Sequence, residues 1–205
     1  LLRALEQLYG LGALSETGEL TKIGRKMAEF PVDPLMSKTI IISEKYQCTY
    51  DIISIVSMLS IGSSIFYHPK DKATSIANIK SHFARDEKGD HLLLLRCYEG
   101  WVESNFSKEW CYEHYIQYRS LNKARDIRDQ IEKICSKIDM NLSKEGNLDD
   151  IGKSLTAGYF WNTAKLTKAG IYKTIKSKLN VFIHPSSIMI KTNEKADVMA
   201  PYILF

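Results

Sequence analysis

The spacing of the apolar side chains constrains the fold of this chain more than any other feature of its sequence. From residue 2 to about residue 166 they recur every three or four positions, as on one face of a helix, and beyond residue 170 they alternate, as in a strand. The clearest stripe runs through residues 120–138 and consists of Leu121, Ala124, Ile127, Ile131, Ile134, Cys135 and Ile138. The pattern predicts a mainly helical chain, with a helical bundle as its body and a small antiparallel β unit at its end.

The predicted helices span residues 2–12, 22–30, 35–46, 50–60, 72–83, 91–104, 108–115, 120–138 and 150–166. Thr21 is the predicted N-cap of the second helix, which Pro31 and Pro34 end. A helix, a tight turn and a second helix of this size are typical of the end of a winged-helix unit. The polar residues 140–150 are predicted to be a linker. Strands are predicted at 171–176, 181–184, 188–191 and 202–205, with a polar loop at 192–197.

The four cysteines, at positions 48, 97, 111 and 135, all lie in helical patterns, and none belongs to a CxxC pair. Zinc sites use closely spaced pairs of ligands. These residues are therefore predicted to be reduced core thiols of a protein from the cytosol or nucleus. The chain contains no run of roughly 20 apolar residues that would cross a bilayer, so no membrane association is expected.

The basic character of the chain is confined to its last quarter. Residues 1–150 hold 20 basic and 22 acidic residues, whereas residues 151–205 hold eight lysines and two acidic residues. Such a local excess is typical of a surface that binds a polyanion, and equally of a surface that only confers solubility.

Three of these lysines, Lys173, Lys176 and Lys178, surround one predicted hairpin in which Tyr172 and Phe182 are interleaved. Cations beside aromatic rings suit single-stranded nucleic acid, because the charges follow the phosphates and the rings stack on the bases. In the alternative interpretation, both aromatic side chains face the core and the lysines face water.

A second candidate segment is the loop at residues 66–72, where two aromatic residues and a proline precede Lys70 and Lys72. The lysines stand before a predicted helix, and the N-terminus of a helix favours anions. Alternatively, Asp71 caps that helix and both lysines are solvated.

Two further segments complete the set of candidate RNA-binding residues. Arg119 stands just before Ser120, the predicted cap of the 120–138 helix, and is placed to reach RNA or an acidic partner. His184 ends a predicted strand, and Ser186 and Ser187 follow it after Pro185. They are able to bind phosphate oxygens, or to close a turn through bonds to the backbone.

The motifs of several large enzyme classes are missing from the sequence. It has no GxxxxGK[ST] phosphate loop, no GxSxG and no HExxH, and its five histidines are dispersed. The chain is therefore predicted to hold no cofactor or metal and not to be an enzyme by itself.

A series of short motifs, in one order along essentially the whole chain, resembles the C-terminal region of DEAH-box RNA helicases. They are residues 11–14 (LGAL), 18–21 (GELT), 24–34 (GRKMAEFPVDP), 58–60 (MLS), 66–67 (FY), 69–72 (PKDK), 89–92 (GDHL), 110–113 (WCYE), 119–121 (RSL), 124–128 (ARDIR), 157–160 (AGYF) and 183–187 (IHPSS). Within the family, residues 43–46 (SEKY) and 156–160 (TAGYF) are most similar to the spliceosomal members, especially the type that activates the spliceosome before the first splicing step.

The resemblance implies the end of a winged helix at 1–38, a helical ratchet domain at 39–155 and a truncated OB-fold at 156–205. It also implies that the chain is part of a longer nuclear protein whose two RecA-like motor domains bind ATP and Mg²⁺. The expected partners are single-stranded RNA, those motor domains, and glycine-patch or other spliceosomal proteins. The sequence departs from the family at His68, where relatives usually have Arg, and a neutral His would bind phosphate more weakly.

Two functions follow from these features. In the first, the chain helps to enclose and guide single-stranded RNA and docks on the motor domains. In the second, it is a protein-interaction scaffold for the motor and glycine-patch cofactors, with little direct RNA contact.

Overall fold

The computed structural model describes residues 2–62, 64–67, 69–84, 89–190 and 199–205. The helices in these ranges are α1 (Leu2–Gly10), α2 (Lys22–Ala28), α3 (Pro34–Lys45), α4 (Thr49–Leu59), α5 (Ala73–Ala84), α6 (Asp90–Glu103), α7 (Lys108–Glu113), α8 (Tyr118–Lys137) and α9 (Leu148–Tyr159). Short 3-10 turns at Lys70–Lys72 and Phe160–Asn162 precede α5 and follow α9. Among the described helices, none has the length and apolar character of a membrane span.

Side-chain caps explain several of the helix boundaries. The Thr21 hydroxyl accepts a 3.0 Å bond from the Gly24 N–H and starts α2, which confirms the predicted cap. Asp33 caps α3 through the Leu35 N–H at 2.9 Å, and Asn147 forms a reciprocal capping box with Asp150 at the start of α9. Local sequence chemistry therefore determines where these helices begin.

The described strands are β1 (Thr163–Leu166), β2 (Tyr172–Thr174), β3 (Asn180–Val181) and β4 (Tyr202–Leu204), in the antiparallel order β3-β2-β1-β4. The prediction of a single helix over 150–166 is wrong at its C-terminal end. There α9 stops at Tyr159, and β1 pairs with β2 on one side and β4 on the other. These pairings are made by residues that follow β1 in the chain, so the periodicity before residue 166 did not indicate them.

The predicted strand at 188–191 is also wrong, because residues 188–190 are helical. The Ile188 N–H donates to the Asp90 carboxylate at 3.1 Å, and the Met189 N–H donates to the Ser187 hydroxyl at 3.2 Å. Two amides at the start of this helical segment are thus hydrogen-bonded to side chains, one of them to a residue distant in sequence. The predicted loop at 192–197 and residue 191 lie outside the described residues.

The predicted linker at 140–150 is held in place by main-chain hydrogen bonds over its middle part. The N–H groups of Glu145 and Gly146 both donate to the Gln47 carbonyl, at 3.0 and 2.8 Å, and the Tyr50 N–H donates to the Ser143 carbonyl at 3.0 Å. This segment therefore packs on the junction between α3 and α4.

The chain divides into two compact units. Unit 1 comprises Leu1–Ile53, Gln130–Phe182 and Ala200–Phe205, and unit 2 comprises Ser54–Asp129 and Ile183–Met199. In unit 1, α3 packs along α9, and Leu11, Ala13, Met27 and Leu35 form part of the core. In unit 2, the core surrounds the fully buried Trp101.

Gly158 permits the closest part of the contact between α3 and α9. A β-carbon at this position would overlap the Thr39 hydroxyl and lie 2.5 Å from the Leu35 carbonyl oxygen. By contrast, a β-carbon at Gly152, in the same helix, would meet nothing within 4 Å. In α9, therefore, Gly158 has no space for a β-carbon, whereas Gly152 has space for one.

We expect Gly158→Ala to lower the free energy of unfolding by about 1–3 kcal/mol, since the helices must separate to admit the methyl group. Gly152→Ala should leave it unchanged or raise it by about 0.5–1 kcal/mol, because alanine favours the helix. Urea denaturation of the two variants measures the difference. Equal stabilities would show that the helices do not meet at Gly158.

All four cysteines are buried and none forms a disulfide, as the sequence predicted. Burial raises the pKa of the Cys48 and Cys97 thiols, and burial with the nearby Glu109 carboxylate raises the pKa of Cys111 to about 11. A raised pKa lowers the fraction of reactive thiolate at neutral pH.

We expect Ellman's reagent at about pH 8 to label the native chain slowly and the denatured chain at four thiols. Rapid labelling of the native chain would contradict this placement of the cysteines.

Candidate nucleic-acid interface

One face of the four-stranded sheet carries a row of exposed polar and aromatic side chains. The register places Asn180 beside Lys173, Lys173 beside Lys165, and Lys165 beside Tyr202. Directly opposed residues of neighbouring strands project from the same face of a sheet. All four side chains are exposed, and we call them the sheet row.

The sheet row combines two ammonium groups with an aromatic ring. The Lys165 ammonium lies 5.5 Å from the centroid of the Tyr202 ring, half of whose surface is exposed. Lysines on a strand neutralise phosphates, and an exposed ring offers a base a surface for stacking. The row thus has the chemistry of a surface for single-stranded nucleic acid.

The opposite face of the sheet is buried. Ala164, Tyr172 and Thr174 have at most 6% of their surface exposed, and the Tyr172 hydroxyl donates to the Ala200 carbonyl at 2.7 Å. Burial raises the pKa of this phenol. The interpretation in which the hairpin aromatics face the core is therefore right for Tyr172 and wrong for Phe182, which is 79% exposed.

Of the three predicted hairpin lysines, Lys173 alone lies in the sheet row. The Lys176 ammonium lies 3.4 Å from the centroid of the Trp161 ring and 3.5 Å from the Glu6 carboxylate. Lys176 thus connects the hairpin to α1 within unit 1. Lys178 is exposed in the turn, with a left-handed φ of 57°.

In unit 2, Lys80 of α5 brings together two of the predicted segments. Its ammonium lies 4.9 Å from the centroid of the Phe66 ring and 3.5 Å from the Ser186 carbonyl oxygen. The 66–72 loop and the 184–187 turn are therefore neighbours, with a lysine between them.

Within the 66–72 loop, the exposed Lys72 ends the 3-10 turn that precedes α5. Asp71 lies inside this 3-10 turn, and Pro69 occupies the N-cap position of the turn. The prediction that Asp71 caps the helix that follows is therefore wrong. His68 and the side chain of Lys70 lie outside the described residues.

The 184–187 turn is closed by bonds between its own residues, as the structural alternative predicted. The Nδ1 atom of His184 accepts from the Ser186 N–H at 3.2 Å and lies 2.8 Å from the Ser186 hydroxyl. Because a backbone N–H only donates, Nδ1 is the acceptor in the bond with the Ser186 N–H. The exposed His184 and Ser186 therefore stand in a fixed geometry.

Arg119 is exposed in the first turn of α8. The helix begins at Tyr118, so Ser120 is not its cap but a buried residue within the first turn. Just before the helix, the Gln117 N–H donates to the Ile65 carbonyl at 2.7 Å, which places the start of α8 beside residues 64–67.

Lys165, Asn180 and Tyr202 are the members of the sheet row that the sequence did not indicate as candidates. The polar and apolar residues alternate in 163–166 (TAKL), which is a signal for a strand. This signal was missed because the helical pattern of the preceding residues was extended over it. Tyr202 was placed in a strand without a function.

Two comparisons with protein families cover the N-terminal part of the chain. Residues 4–32 match the helicase associated domain (HA2), winged-helix, and residues 33–94 match the helicase associated domain (HA2), ratchet-like. The first match contains α1 and α2, and the second begins just before α3 and ends within α6.

We expect Lys176→Met to lower the free energy of unfolding by about 1 kcal/mol, because it removes the cation–π contact with Trp161 and the ion pair with Glu6. Lys178→Met, which removes the same charge two residues further along the connection between β2 and β3, should have little effect. Urea denaturation of both variants makes the comparison. If the two variants are equally stable, Lys176 does not hold the hairpin to α1.

Proposed function

Since the two matched domains indicate the C-terminal region of a DEAH/RHA-type helicase, we propose that this chain is an accessory region that guides single-stranded RNA. The observation that carries the proposal is the sheet row, in which Lys165 and Lys173 stand side by side next to Tyr202. Domains of the HA2 type occur in ATP-dependent RNA helicases, so an RNA strand is the natural ligand for such a surface.

The mode of binding follows from the side chains of the sheet row. Two lysines contact the sugar-phosphate backbone, which has the same charge in every sequence, and Tyr202 stacks on a base, which every base permits. We therefore expect RNA binding that is weak, sensitive to salt and largely independent of sequence. Such binding suits a region that steers a moving strand.

In this proposal, another part of the same protein supplies the energy that moves the RNA strand. We propose that RecA-like motor domains bind ATP and Mg²⁺, and that this chain docks on them. From the resemblance of residues 43–46 and 156–160 to the spliceosomal members, we further propose a nuclear role in pre-mRNA splicing, with glycine-patch proteins as partners.

The sheet row is tested by replacing Lys165 and Lys173 with glutamine and measuring the fluorescence anisotropy of labelled oligouridine at several salt concentrations. Each lost phosphate contact should lower the slope of log K against log [salt] by about 0.7, so the double variant should lose about 1.4. Lys123→Gln/Lys133→Gln removes two exposed lysines from α8 and is the matched control.

Tyr202→Ala separates stacking from charge. It should weaken binding by about 1–3 kcal/mol and leave the salt slope unchanged. If neither the lysine pair nor Tyr202 affects binding, RNA does not lie on the sheet row. If the unaltered chain ignores oligouridine at low salt, the alternative function as a protein-interaction scaffold is favoured.

A further inference from the structure

The sheet row ends beside an exposed phenylalanine that the proposed function does not use. Phe182 directly follows β3, and 79% of its surface is exposed, more than for any other large apolar side chain among the residues that the structure describes. A single exposed apolar residue is ordinary on a protein surface. Its position relative to the sheet row is what distinguishes Phe182.

Phe182 stands on the same side of the sheet as the sheet row. Successive residues of an extended segment project to opposite faces. The register pairs Val181 with the buried Tyr172, and Asn180 with the exposed Lys173. The alternation continues past the strand, because Phe182 is exposed whereas Val181 is half-buried. Phe182 therefore projects from the same face as Asn180, two residues further along the chain.

The segment that carries Phe182 is fixed by hydrogen bonds of its neighbours. The Thr174 N–H donates to the Leu179 carbonyl at 2.8 Å, and the Leu179 N–H donates to the Thr174 hydroxyl at 2.9 Å, so the connection between β2 and β3 is closed. The other strand of this hairpin is anchored by Tyr172, whose hydroxyl donates to the Ala200 carbonyl at 2.7 Å. A ligand therefore meets a preorganised surface, which lowers the cost of binding.

Phe182 and Tyr202 lie at opposite ends of the outward face. In the order β3-β2-β1-β4, Asn180 and Tyr202 are three strand spacings apart, roughly 14 Å. Two further residues along the chain add roughly 7 Å in the perpendicular direction, so the two aromatic positions are roughly 16 Å apart. Stacked bases of one strand follow each other at about 3.4 Å. Neighbouring bases therefore do not reach both rings, whereas separate parts of one strand do.

The surface between the two rings is basic. Residues 163–182 contain five lysines and no acidic residue, and Lys165 and Lys173 lie in the row between the rings. An apolar protein surface laid across both rings would remove these two ammonium groups from water without a partner, which is costly. An RNA strand instead brings phosphates to them. Charge complementarity therefore favours single-stranded RNA as the occupant of the whole face.

We propose that Phe182 is a second stacking platform of this interface, and that the RNA strand runs across the strands between β4 and β3. One base stacks on Tyr202, the phosphates next to it pass Lys165 and Lys173, and a base farther along stacks on Phe182. This arrangement occupies at least about four nucleotides, the lower end of the range for domains that bind single strands. The inference rests on the proposed function of the sheet row and adds a residue and a path to it.

The test measures the fluorescence anisotropy of labelled oligouridine of about eight nucleotides with the 205-residue chain at low salt. Phe182→Ala should weaken binding at least about fivefold and leave the salt slope unchanged, because a stacking ring is lost and no charge is removed. Phe182→Tyr keeps the ring and should keep the affinity, whereas Phe182→Leu keeps only the apolar bulk and should bind as weakly as Phe182→Ala.

The matched control is Leu179→Ala, which removes another exposed apolar side chain, 62% exposed, from the connection before β3. It should leave RNA binding unchanged. Circular dichroism reports whether each variant folds, and the exposure of Phe182 and Leu179 gives no reason for any of them to unfold.

A double variant tests the path of the strand. Because the two rings are far apart and bind different bases, the losses of affinity caused by Phe182→Ala and Tyr202→Ala should multiply when the changes are combined. A double variant that binds no more weakly than the weaker of the two single variants would contradict a strand that contacts both rings at once.

Two further results would overturn the inference and leave the sheet row in place. One is an unchanged affinity of Phe182→Ala when Lys165→Gln/Lys173→Gln and Tyr202→Ala both weaken binding. The other is full affinity of Phe182→Leu, which would show that the ring does not stack. If the variants of Lys165, Lys173 and Tyr202 bind as tightly as the unaltered chain, the proposed function itself fails, whatever the effect of Phe182→Ala.

Discussion

The contact between α3 and α9 at Thr39 and Gly158 is the constraint on which unit 1 depends. It joins parts of the chain that are distant in sequence, and α9 leads directly into the turn at Phe160–Asn162 and then into β1. Trp161 in that turn lies against Gly10 of α1 and under the Lys176 ammonium. The position of the sheet therefore follows from how closely two helices can approach.

The sheet has two chemically different faces because its strands alternate. Tyr172 and Thr174 point inward and are buried, and Lys173 between them points outward. Once pairing places Lys165 and Tyr202 in the same row, the outward face becomes basic and aromatic. No single strand has enough of these side chains to bind RNA, so the candidate site is a product of strand register.

Local chemistry in the sequence was sufficient for most of the helices, for the Thr21 cap and for the placement of the cysteines on apolar helix faces, because these patterns depend on residues within a few positions of each other. Lys173 was also predictable, since alternation alone places it outward. Only the tertiary structure decided that β1 follows α9, that residues 188–190 turn into a helix on Asp90, and that Lys176 binds Trp161. In each of these cases the deciding partner lies in another segment of the chain, and the periodicity within one segment carries no information about its partner.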